Sequence, residues 1–99
     1  MTTKKRKYDE LLTAVNQYRD SYYSMREKAF EIFPKYGQGF FDMSRMLTNM
    51  HSEYTEITKQ LVECRRYGIE TAHFKMAEDK FISTRNTIEQ LLLIHVLSS

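Results

Sequence analysis

The stretch YDELLTAVNQYRDSYYSMREKAFEI, residues 8–32, decides the fold. Its apolar and aromatic positions, Tyr8, Leu11, Val15, Tyr18, Tyr22, Met25, Ala29 and Ile32, alternate at spacings of three and four. That is one stripe of an amphipathic helix held over four heptads. Pro34 and the Gly37-Gln38-Gly39 segment then end it, because proline and glycine cannot sustain the helical ladder.

Outward from this helix the same pattern returns. Phe40, Met43, Leu47, Met50, Tyr54, Ile57, Leu61 and Cys64 form a second stripe. It closes on Arg65-Arg66-Tyr67-Gly68, with basic residues in the last turn and then a glycine, as expected of a left-handed helix end. A third stripe runs Phe74, Ala77, Phe81, Thr84, Ile88 and Leu91. Its phase slips by one position across Gly68: continuing the second stripe calls for an apolar residue at 75, which is Lys75. The slip favours a break at Gly68, and Thr71 is a suitable N-cap for the helix that follows.

These readings predict an all-α fold, an elongated antiparallel three-helix bundle with coiled-coil-like stripes. Its helices should span about 5–33, 40–67 and 71–97. Short connections make sequential helices antiparallel, and 25-residue helices would be about 38 Å long at 1.5 Å per residue. The 99 residues make one domain, too short for a second core. Residues 1–7, with four cations opposing the helix dipole, are expected to fray. Three glycines and one proline are too few turn formers for an all-β domain.

Composition narrows the function classes. The net charge of +2 does not by itself imply a polyanionic partner. No apolar run is long enough for a membrane span, and no apolar segment follows the basic start as a secretory signal requires. One cysteine, Cys64, excludes an internal disulfide and suits a reducing, cytoplasmic setting. On its stripe position Cys64 reads as a small core residue, not a nucleophile.

Sites of chemistry are sparse. Glu70 and His73 form one Glu-x-x-His pair, whereas a di-iron bundle needs two such pairs and two further carboxylates. No metal or cofactor is therefore expected. Arg66 and His73 lie seven positions apart, a spacing similar to the Arg–His pair of the HEPN helical ribonucleases. That resemblance implies a dimeric ribonuclease as one alternative, with Gly68 interrupting the helix that would hold the pair. Lys4, Lys5, Arg6 and Lys7 form a cluster able to hold a phosphate backbone, which makes a nucleic-acid-binding protein the other alternative.

The leading expectation is a small helical module that binds another protein, as an adaptor, a chaperone-like protein or an inhibitor. It rests on apolar residues beyond what the stripes need: Tyr23, Phe30 and Phe33 on a second arc of the first helix, and Tyr36, Phe41 and Met46 around the first turn. Aromatic residues and methionines are enriched at adaptable interfaces. The run Leu92, Leu93, Ile94, Val96 and Leu97 is wider than one seam requires, and is expected to form a homodimer interface. Tyr18, Tyr22 and Tyr54 on stripe positions suggest a seam that is partly wet or partly open, as at a subunit boundary, since a buried phenol needs a hydrogen-bond partner.

Overall fold

A computed structural model describes residues 2–69 and 71–98, with side chains described from Lys7 onward. The chain forms three helices: α1 (Thr2–Ile32), α2 (Phe40–Tyr67) and α3 (Ala72–Ser98). There is no strand among the described residues. The bundle is a rod, 53 × 18 × 16 Å in its principal extents. The backbone is already helical from Thr2, three residues before the expected start. The side chains of Lys4, Lys5 and Arg6 lie outside the described residues, as does Glu70.

The direction of each helix is legible from its partners. Arg65 lies over the Tyr8 ring and Phe30 packs near Phe40, so α1 and α2 run antiparallel. Thr84 of α3 donates a 2.9 Å hydrogen bond to Glu53 of α2. Tyr18 meets Glu78 and Phe81, while Phe33 meets His95, so α1 and α3 rise together. The α2–α3 pair packs most closely, α1 against α2 next, and α1 against α3 most openly.

The stripes build the core. Val15, Met25 and Ala29 of α1, Met43, Leu47, Met50 and Ile57 of α2, and Phe74, Phe81 and Ile88 of α3 are all buried. Cys64 is a free, buried thiol in the same core. Gly68 ends α2 in the left-handed region (φ 70°, ψ 17°) with its N–H on the Cys64 carbonyl, which settles the break. Thr71 caps α3: its Oγ1 accepts the Phe74 N–H at 3.1 Å.

Two sequence expectations need correction here. The third stripe closes on Leu92, which is buried, and not on Leu91, which faces outward; a straight helix of 3.6 residues per turn drifts off a strict heptad. Phe33, expected on a partner face, is also core. The first connection folds back over it, so that a Cβ at Gly39 would come within 3.0 Å of the Phe33 ring. Gly39 has φ 83° and cannot be replaced cheaply at either level.

Candidate interaction surface

The ends of α1 and α3 and the start of α2 meet at one end of the rod, and the surplus apolar residues gather there. On the α1/α2 edge, Phe30, Tyr36, Phe40 and Phe41 form a ring-to-ring cluster with centroid separations of 5.6 to 6.2 Å. Tyr36 is 72% exposed and Phe41 68%. Arg26 and Lys35 lie over the Phe30 and Tyr36 rings at 5.3 and 5.2 Å, so cations flank the aromatic faces. Tyr23 is exposed further along α1, edge-on to Tyr22.

Tyr36 is the one non-glycine residue with a positive φ (65°) among the described residues. It is the third residue of a tight turn closed by the Gly37 N–H on the Pro34 carbonyl at 2.8 Å. Glycine is the relaxed choice at a left-handed turn position, and a bulky side chain there costs about 1–2 kcal/mol. The chain thus holds an aromatic ring outward at a strained position.

Two grooves flank the end of α3. One, of about 550 Å³ between α2 and α3, is lined by Met43, Met46, Leu91, Ile94 and His95, with Phe33 at its floor. Met46 therefore belongs to this groove and to the core margin, not to the aromatic edge where the sequence grouped it. The other, of about 360 Å³ between α1 and α3, is lined by Met25, Ile32, Leu92, Leu93 and Val96, with Lys28 and Glu89 on its walls. Of the five residues expected at a dimer interface, Leu93, Ile94, Val96 and Leu97 are exposed, whereas Leu92 is buried in the core of the single chain.

The polar candidates fall on separate elements. Arg66 ends α2 and His73 begins α3, both exposed and on separate helices. His73 lines a groove with Glu53, Glu56 and Lys80, to which Arg66 does not contribute. Among the described residues, no group of three or more His, Cys, Asp or Glu side chains is placed to hold a metal ion. Among the described residues, no helix is long and apolar enough to cross a membrane.

One polar contact was foreshadowed by the stripe tyrosines. The Tyr18 hydroxyl donates a 2.6 Å hydrogen bond to Glu78 across the α1/α3 seam. Burial, then the hydrogen bond and negative charge of Glu78, push the phenol above its ordinary value. For Tyr18 the hydrogen-bond partner thus lies in the same chain, on α3.

In comparisons with protein-family models, curated proteins and solved structures, no match was found.

Proposed function

We propose that this chain is a small helical protein-interaction module that docks a partner protein on its aromatic edge. The observation that carries the reading is Tyr36: a strained, left-handed residue that is largely exposed, with its ring beside that of Phe41. Strain kept at a surface residue marks a position where something other than stability is served. Each large apolar side chain left in water forgoes about 1.5–3 kcal/mol of burial, and a partner recovers it. Arg26 and Lys35 beside the rings add cation–π contacts that suit a partner with aromatic or acidic groups. An adaptor, a chaperone-like protein and an inhibitor each use such a surface.

The test is affinity capture from the native host with two baits, the natural chain and Tyr36→Ser/Phe41→Ser. A protein held by the first and lost with the second supports the module. Equal recovery with both baits places the docking surface elsewhere.

A further inference from the structure

We propose that the groove between α1 and α3 is a second interface, occupied by the same groove of a second copy of this chain. This rests on the reading of the apolar end as an interaction surface, and it adds the partner and its orientation.

α1 and α3 are parallel and the least closely packed pair, and the slot between them holds Met25 and Ile32 on one wall and Leu93 and Val96 on the other. Leu93 is 59% exposed although it lines the slot. Two such pairs laid face to face make a four-helix core, in which each wall fills what the other lacks.

Area then selects a side-by-side arrangement. A stable interface buries about 800 Å² per partner. The rod is 53 Å long and 18 × 16 Å across, so a contact along the flank offers more area than one at the tip.

Charge selects the direction. Lys28 stands on the α1 wall and Glu89 on the α3 wall of the same slot. A two-fold axis along the rods lays α1 of each copy over α3 of the other. Lys28 of one copy then meets Glu89 of the second, and the reverse pair forms by symmetry. An antiparallel pairing instead lays α1 over α1 and forfeits both pairs.

Sedimentation equilibrium of the full chain tests this. The expected mass is twice 11.9 kDa at micromolar concentration. Lys28→Glu and Glu89→Lys, made singly, should each weaken the dimer by ~10-fold, and the double reversal should restore it to within about twofold. Leu93→Glu should give a monomer whose circular dichroism is unchanged, because the side chain is exposed in the folded chain. A natural chain that stays monomeric overturns the proposal. So does a dimer indifferent to the single reversals, or one that the double reversal fails to rescue. A monomer that still captures a partner through Tyr36 and Phe41 would sink the dimer and leave the proposed function standing.

Discussion

The His95 ring lies 4.4 Å from the Phe33 ring, centroid to centroid, fastening the end of α3 to the end of α1. Phe33 is buried beneath the first connection, whereas Phe41, eight residues on, is exposed. Two phenylalanines of one aromatic-rich segment thus serve opposite purposes. Phe33→Ala should cost about 3–5 kcal/mol by leaving a cavity, and Phe41→Ala should change stability by no more than about 0.5 kcal/mol. Urea unfolding of the two variants checks this, and equal losses would reverse the division of core and surface.

Tyr36 offers a second check, in which stability and binding should move in opposite directions. Tyr36→Gly relaxes the left-handed turn and should be neutral or stabilising by up to ~1 kcal/mol. The same change removes an exposed ring from the proposed docking edge, so partner capture should fall. A variant that is clearly less stable than the natural chain would show that the ring is held inward.

The Tyr18–Glu78 hydrogen bond gives a pH dependence of known sign. The folded phenol titrates above its unfolded value near 10. Above that value the unfolded chain binds fewer protons than the folded one, so stability is full below pH ~10 and declines as pH rises further. Tyr18→Phe should cost about 1–2 kcal/mol at neutral pH by stripping the hydrogen bond from a partly buried carboxylate. Its stability should also fall less steeply than that of the natural chain between pH ~10 and ~11.5. Parallel curves for the two proteins would mean that the phenol titrates normally.

The two long stripes were legible because every position on them demands the same thing: an apolar side chain once per turn. All eight stripe positions of α1 and of α2 are buried or half-buried. The ends were harder. Leu91, Leu92 and Leu93 are all apolar, so periodicity alone could not say which of them turns inward; the drift of a straight helix chose Leu92. Phe33 lies one residue past the end of α1, and only the fold-back of the connection, which rests on Gly39 at φ 83°, decides that it is covered. Met46 was placed by its α3 neighbours, which no local pattern reveals. Tyr36 was singled out for its apolar excess, but its strained turn is a backbone fact that composition does not carry.

The most direct measurement is site-specific photocrosslinking in the native host from two exposed apolar positions, 41 at the apolar end and 76 on α3 towards the opposite end. A photoreactive phenylalanine at position 41 should join the chain to one discrete protein, and the same group in place of Met76 should not. Tyr36→Ser should diminish the adduct from position 41. No adduct from 41, or the same adduct from both positions, would contradict a docking surface at the aromatic edge.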